Sequence, residues 1–140
     1  TTEYPMLRSL VGSEMCIRDS LIRATKVADN SDGGILVISE GVFGMRGEQG
    51  KLREIVKLKG KYKFRFLVDD AHGFGTLGKD GSGTGDEQGI QDEIDVYFAT
   101  FAKSIASTGA FIAGSKEVID FLKYNMRSQM FAKSLQSVLV

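Results

Sequence analysis

Two apolar stretches of this chain each end close to side chains that can do chemistry. Residues 66–68 lead into Asp69 and then His72, and residues 96–99 are followed by Lys103. A carboxylate, an imidazole and an amine together are what a protein needs to hold pyridoxal phosphate (PLP). The amine forms a Schiff base with the aldehyde, and the carboxylate keeps the ring nitrogen protonated. The pattern therefore predicts PLP as the cofactor, with Lys103 as its anchor.

Two lysines compete for the anchor role, because the run Phe-Ala-Lys-Ser occurs at residues 101–104 and again at 131–134. Lys103 follows an apolar stretch and precedes small residues, which let the backbone and a cofactor approach closely. Lys133 follows a stretch rich in charged and polar side chains. We therefore expect Lys103, rather than Lys133, to be the anchor.

Other ligands fit the same region less well. Residues 73–78 match the G-x-G-x-x-G template, which requires the glycines to turn directly into a helix. The following run, KDGSGTG, cannot sustain a helix, so a nicotinamide cofactor is disfavoured. His72 is the only histidine, and with Asp69 and Asp70 it would make a weak metal site. An isolated Asp-Asp pair usually caps a turn, so the joint occurrence with Lys103 favours the catalytic interpretation.

Composition indicates an ordinary folded protein. Of the 140 residues, 42% are apolar and 26% are charged, and the formal net charge is zero. Without a basic tract, neither nucleic acid nor an anionic membrane surface is an expected partner. No apolar run approaches the roughly 20 residues needed to span a bilayer. The single cysteine, Cys16, cannot form an internal disulfide, so the cytoplasm is the expected compartment.

The elements that must position these side chains alternate between strand and helix. Apolar runs at residues 35–38, 64–68 and 96–99 predict buried strands, and the apolar spacing within 52–58 predicts a helix. The order strand, helix, strand predicts a right-handed crossover and a mostly parallel sheet, hence an α/β fold. The glycine-rich residues 73–89 predict a long irregular loop.

Further along, residues 110–113 predict another strand, which could pair with 96–99 as a hairpin. Ser115 predicts the N-cap of a helix over residues 116–125.

The first residues of the chain do not resemble a natural protein segment. Residues 10–20 resemble a translated sequencing adapter, show no amphipathic period and lead into no clear element. We therefore expect residues 1–20 to be non-native, and we assign Cys16 no function. Residues 21–140 are expected to form part of a large cofactor-binding domain that is truncated at both ends.

Three runs resemble the α-oxoamine synthases, the fold-type I PLP enzymes that join an amino acid to an acyl-CoA with loss of carbon dioxide. The runs are EGVF at residues 40–43, VDDAHGFG at 68–75 and TFAK at 100–103. The resemblance covers about residues 23–135. Within the family, GVFGMRG at 41–47 and YNMRSQ at 124–129 are similar to bacterial soluble serine palmitoyltransferases.

The resemblance implies a role for each site residue. Asp69 would pair with the pyridinium nitrogen, and His72 would contact the phenolic oxygen of the ring. Thr100 would bond the phosphate, and Lys103 would form the Schiff base. A serine that contacts the phenolic oxygen in relatives is replaced here by Gly44. The resemblance also implies the large domain of the fold-type I aminotransferase-like architecture and a homodimer that completes the site.

The activity implied is condensation of L-serine with palmitoyl-CoA to 3-ketodihydrosphingosine, a step of sphingolipid biosynthesis. Two alternatives stay open. One is another α-oxoamine synthase, such as glycine C-acetyltransferase or 8-amino-7-oxononanoate synthase. The other is a non-catalytic fragment that keeps the fold without the chemistry. The chain on its own is expected to be inactive.

Overall fold

The computed structural model describes residues 6–7, 14–31 and 33–130. Its strands are β1 (Met6–Leu7), β2 (Leu36–Glu40), β3 (Val42–Phe43), β4 (Glu48–Gln49), β5 (Arg65–Asp69), β6 (Val96–Thr100) and β7 (Ala110–Gly114). Its helices are α1 (Glu14–Ala28), α2 (Leu52–Lys57), α3 (Thr84–Glu87), α4 (Lys116–Asn125) and α5 (Arg127–Met130), and short 3₁₀ turns occur at Leu58–Gly60, Lys79–Gly81 and Gln91–Glu93.

A five-stranded sheet in the order β1-β2-β5-β6-β7 organises the fold. The pairs β1–β2, β2–β5 and β5–β6 are parallel, and β7 is antiparallel to β6. The strands β3 and β4 form a separate antiparallel hairpin. The mostly parallel α/β sheet predicted from the sequence is therefore confirmed, as is the hairpin between the last two strands.

Side chains of the central strands alternate between the two faces of the sheet, as the period of two requires. Phe66 and Val68 of β5 are fully buried, and Tyr97 and Ala99 of β6 are buried beside them. The predicted helix α2 packs on this core with Leu52 and Ile55, and the 3₁₀ turn that follows it adds Leu58. The core therefore lies between this sheet face and the helices packed on it.

The helix α1 corrects one expectation. Residues 10–20 were expected to lead into no regular element, yet α1 begins at Glu14 and runs across residue 20. Ile17, Leu21 and Ala24 are buried in the same core as β5. Their spacing of four and three residues puts them on one helix face, and burial of that face holds the helix. That residues 1–20 are non-native stays a prediction.

The C-terminal half of the described chain follows its sequence signals. The helix α4 spans the predicted residues, and the Oγ of Ser115 accepts a hydrogen bond from the backbone N–H of Val118 at 3.5 Å. The predicted loop 73–89 is mostly irregular but contains a 3₁₀ turn and α3. No helix within the described residues is long and apolar enough to cross a membrane.

Candidate active site

The four predicted site residues lie at one edge of the sheet. Asp69 is the last residue of β5 and Thr100 is the last residue of β6, and these two strands are parallel neighbours. His72 lies in the turn after β5, and Lys103 lies three residues beyond β6. The carboxyl ends of parallel strands form the edge where open α/β sheets bind their ligands.

His72 and Lys103 are brought into direct contact. The amine Nζ of Lys103 lies 3.4 Å from Nδ1 of His72, and both side chains are exposed. The ammonium group can donate to Nδ1 when that nitrogen carries no proton, at the long end of the hydrogen-bond range. The amine and the imidazole can therefore act on the same bound molecule.

Asp69 is held in place by two backbone N–H groups. Its Oδ1 accepts a hydrogen bond from the backbone N–H of Ala71 at 3.1 Å, and its carbonyl oxygen accepts one from Gly41 at 2.8 Å. The carboxylate is partly exposed and keeps further acceptor positions for a positively charged donor.

The hydroxyl of Thr100 forms hydrogen bonds within the loop that follows β6. Its Oγ1 donates to the carbonyl oxygen of Gly109 at 3.1 Å and accepts from the backbone N–H of Ala102 at 3.2 Å. These bonds close the loop that carries Lys103. The phosphate contact expected of Thr100 stays a prediction.

Gly44 packs against the imidazole. A Cβ built on Gly44 would lie 2.4 Å from Cε1 and 2.5 Å from Nε2 of His72, far inside van der Waals contact. A cavity of about 520 Å³ opens beside this contact, lined by Glu40, Phe43, Gly44, Met45, Arg46 and His72. The absent side chain at residue 44 therefore gives the imidazole its position at the cavity wall.

Asp70 is a residue whose role the sequence reasoning missed. Its side chain is fully buried. Its Oδ1 accepts from Oγ1 of Thr84 at 2.6 Å, and its Oδ2 accepts from the backbone N–H of Thr84 at 2.7 Å and from the hydroxyl of Tyr97 at 2.8 Å. The strand period could have revealed this, because residue 70 continues the buried face of Phe66 and Val68.

Tyr97 is correspondingly fixed in its neutral form. Burial raises the pKa of its hydroxyl well above the ordinary value, and the hydrogen bond to Asp70 and the negative charge of that carboxylate raise it further. Tyr97 therefore acts as a hydrogen-bond donor to Asp70.

Asp95 is the centre of a second group of hydrogen bonds, which lies at the amino ends of the strands, just before β6. It accepts from Lys59 Nζ at 2.7 Å, from Arg65 Nη1 at 2.8 Å and from the backbone N–H of Phe66 at 2.7 Å. Burial opposes ionisation here, but the hydrogen bonds from Lys59, Arg65 and Phe66 outweigh it and lower the pKa of Asp95. This cluster ties the amino ends of β5 and β6 together.

The disfavoured alternatives find no geometric support. The glycine template at residues 73–78 leads into the 3₁₀ turn Lys79–Gly81 rather than a helix. Within the part of the chain that the structure describes, no three His, Cys, Asp or Glu side chains are grouped as metal ligands. The competing Lys133 lies outside the described residues.

Known proteins resemble this chain over most of its length. The family model for aminotransferase class I and II matches residues 19–140. A cysteate-C-fatty acyltransferase of Capnocytophaga ochracea is 72% identical over 121 residues, which cover 86% of this chain and 29% of that protein. A serine palmitoyltransferase of Sphingobacterium spiritivorum is 43% identical over 105 residues, covering 75% of this chain and 26% of that protein.

Solved structures show the same fold. The serine palmitoyltransferase of Sphingomonas wittichii superposes with a TM-score of 0.69 at 35% identity, covering 74% of this chain and 26% of that one. A structure of SPT with the PLP internal aldimine superposes with a TM-score of 0.77 at 31% identity, covering 88% and 30%. The chain thus spans less than a third of the length of these relatives. It belongs to the aminotransferase class I and II family, and these relatives are α-oxoamine synthases, as the sequence motifs predicted.

Proposed function

We propose that the full-length protein carrying this chain is a PLP-dependent α-oxoamine synthase. It condenses an amino acid with an acyl-CoA. The bond formed joins the amino-acid Cα to the acyl carbon, and the bonds broken are the thioester C–S bond and the bond from Cα to the carboxylate. The products are an amino ketone, CoA and carbon dioxide, and one proton is taken up. The observation that carries the proposal is the contact between Lys103 and His72 at the sheet edge where Asp69 ends β5.

The residues present fit PLP by their chemistry. The exposed Lys103 amine can bind an aldehyde covalently, and the partly exposed Asp69 carboxylate can pair with a ring nitrogen. The imidazole of His72 lines a cavity of about 520 Å³ that Gly44 keeps open. Thr100 would reach the phosphate. When bound, PLP supplies an electron sink that stabilises negative charge at the substrate Cα.

Each side chain then has a task that its position supports. Nζ of Lys103 holds the cofactor and, once displaced by the substrate amine, can take the Cα proton and return it. Nδ1 of His72, 3.4 Å from that amine, orients it. The charge of Asp69 keeps the cofactor ring protonated by opposite-charge attraction.

Two amino acids, cysteate and serine, are candidates for the amino-acid substrate. The 72% identity to a cysteate-C-fatty acyltransferase favours cysteate, which carries a sulfonate where serine has a hydroxyl group. The predicted pair of L-serine and palmitoyl-CoA is supported by the 43% identity to a serine palmitoyltransferase. Both candidates would transfer a fatty acyl group from a thioester, which we take to be the acyl-CoA. Both would act as a homodimer in the cytoplasm, the compartment expected from the single cysteine.

A substrate comparison tests the proposal. The full-length protein is loaded with PLP and mixed with one acyl-CoA, either palmitoyl-CoA or the short acetyl-CoA, and with one amino acid at a time: L-cysteate, L-serine, glycine or L-alanine. We expect CoA thiol release with cysteate or serine, equal in amount to the carbon dioxide released, and none in the Lys103→Ala variant. Preference for glycine or alanine with a short acyl-CoA would assign another α-oxoamine synthase. No turnover with any pair, in a protein that binds PLP, would leave a non-catalytic relative.

A further inference from the structure

The adjacent residues Asp69 and Asp70 lie in different surroundings, because successive side chains at the end of a strand point to opposite faces of the sheet. Asp69 faces the site, partly exposed, whereas Asp70 is fully buried and accepts three hydrogen bonds from two residues, Thr84 and Tyr97. The three groups that hydrogen-bond to the Asp70 carboxylate all donate to it. Among the described residues, no cationic side chain pairs with it.

Three glycines from different segments of the chain lie close to the Asp70 carboxylate. A Cβ on Gly41 or Gly73 would lie 2.0 or 2.2 Å from Oδ1, and one on Gly83 would lie 2.3 Å from Oδ2. Gly83 also has a φ of +109°, which a residue with a side chain rarely adopts. The Asp70 carboxylate is therefore enclosed by the loop after β2, its own turn and the start of α3.

The backbone of Asp70 closes the turn that carries the imidazole. Its N–H donates to the carbonyl oxygen of Phe98 at 2.8 Å, and its own carbonyl oxygen accepts from Gly73 at 3.1 Å and Phe74 at 2.9 Å. His72 lies inside this turn, and Asp69 immediately precedes it. Asp70 therefore connects the buried hydrogen bonds of its side chain with the turn that contains His72 and follows Asp69.

Resting on the proposed function, we infer that Asp70 is a positioning residue for the PLP site. It acts through Thr84 and Tyr97 to fix the turn that presents Asp69 and His72. Because its side chain is fully buried, it would contact neither cofactor nor substrate. Its partner Thr84 is 14 residues away, so the loop 73–89 closes on this one carboxylate.

The chain offers a matched control for a purely structural effect. Asp95 is also a largely buried carboxylate that accepts from one backbone N–H and two side chains, but it lies at the opposite edge of the same sheet. Asp95→Asn should therefore lower stability without altering the site. Thr84 supplies a second pair, because Thr84→Val removes the hydroxyl donor and Thr84→Ser keeps it.

The test compares wild type with Asp70→Asn, Thr84→Val, Thr84→Ser and Asp95→Asn in the full-length protein. The two readouts are the PLP dissociation constant, from the Schiff-base absorbance, and hydrogen exchange of residues 70–84 in the apoprotein. We expect Asp70→Asn and Thr84→Val to weaken PLP binding roughly 10–100-fold, by analogy with the loss of partners that orient metal ligands. Exchange of residues 70–84 should rise by roughly the same factor, because each change removes a buried hydrogen bond. Thr84→Ser and Asp95→Asn should stay near wild type in both.

Equal weakening of PLP binding in Asp95→Asn and Asp70→Asn would overturn the inference, because the effect would then follow stability alone. So would a Thr84→Val protein that behaves like wild type, and this variant decides the matter if Asp70→Asn does not fold. A wild-type protein that forms no Schiff base would instead remove the proposed function. The hydrogen-exchange readout tests the positioning role even then: an exchange rate of residues 70–84 that is the same in Asp70→Asn as in wild type would overturn that role.

Discussion

The Lys103 amine lies 3.4 Å from Nδ1 of His72, although the two residues are 31 positions apart in the chain. They meet because β5 and β6 are adjacent parallel strands, with Leu67 opposite Val96, so the segments that follow both strands leave the sheet at the same edge. The pairing of an amine with an imidazole is thus a consequence of the sheet topology.

Lys103→Ala in the full-length protein should abolish the Schiff-base absorbance of PLP, because the only amine in contact with His72 among the described residues is removed. Lys133→Ala, the variant of the second Phe-Ala-Lys-Ser run, should keep that absorbance. Borohydride reduction followed by peptide mapping checks the same point. A label on Lys133, or on a peptide outside residues 97–104, would contradict the assignment.

Asp69→Asn should still bind PLP but turn over at least about tenfold more slowly, because an opposite charge near a titratable nitrogen shifts its pKa by about 1–3 units. Without the carboxylate, the ring is less protonated and stabilises charge at Cα less well. Steady-state CoA release measures this. Asp92→Asn, an exposed carboxylate in the turn before β6, is the control and should behave like wild type. Wild-type turnover in Asp69→Asn would remove the proposed role.

Gly44→Ala should weaken PLP binding, because a Cβ at this position would lie 2.4 Å from the His72 ring and must displace it. Alanine brings no hydroxyl group that could make the contact which the resemblance assigns to the serine of relatives. Gly34→Ala is the matched control, since a Cβ there meets nothing within 4 Å. PLP titration of both variants measures the difference, and we expect roughly tenfold weaker binding for Gly44→Ala alone, by analogy with the loss of partners that orient metal ligands. Equal affinities in the two variants would mean that His72 moves aside at no cost.

Local patterns were enough to predict four strands of the main sheet, β2, β5, β6 and β7, and the helix α4. These strands were predictable because each is a short apolar run between polar or glycine-rich segments. The strand β1 and the hairpin of β3 and β4 were not predicted. The start of α4 was predictable because Ser115 caps it. The helix α1 was not predicted, since residues 10–20 were set aside as non-native and Ile17 was therefore not read together with the apolar residues Leu21 and Ala24 on the same helix face.

The candidate site was predictable by residue type but not by the contacts that support it. An amine, an imidazole and a carboxylate after two neighbouring strands were enough to single out Lys103, His72 and Asp69 as candidates, and their roles stay predictions. The helix α3 was not predicted, because its first residue, Thr84, is held by Asp70 through a contact across 14 residues. The contact of Gly44 with His72 likewise depends on the β3–β4 hairpin lying over the turn, which no local pattern encodes.

Asp95 should make stability depend on pH in acid. Its folded-state pKa lies below the ordinary value of 3.8, because its hydrogen bonds outweigh the burial that opposes ionisation. Its contribution to the free energy of unfolding is therefore full above that value and is lost as the pH falls through the lower folded-state pKa. We expect wild type to be more stable than Asp95→Asn near neutral pH, with a gap that narrows below about pH 4.

Urea unfolding of both proteins at a series of pH values measures that gap. A gap of constant size down to about pH 3 would show that Asp95 titrates normally.

Two buried tyrosines should respond in opposite directions to loss of the hydroxyl group. The hydroxyl of Tyr97 donates to Asp70, whereas that of Tyr62 has no hydrogen-bond partner among the described residues. Tyr97→Phe should destabilise the full-length protein by about 1–3 kcal/mol, since it leaves a buried acceptor with one donor fewer. Tyr62→Phe should be neutral or stabilising by up to about 1 kcal/mol, because it removes an unsatisfied buried group. Urea midpoints of the two variants measure this, and an equal loss of stability in both would show that the Tyr62 hydroxyl is bonded in the folded protein.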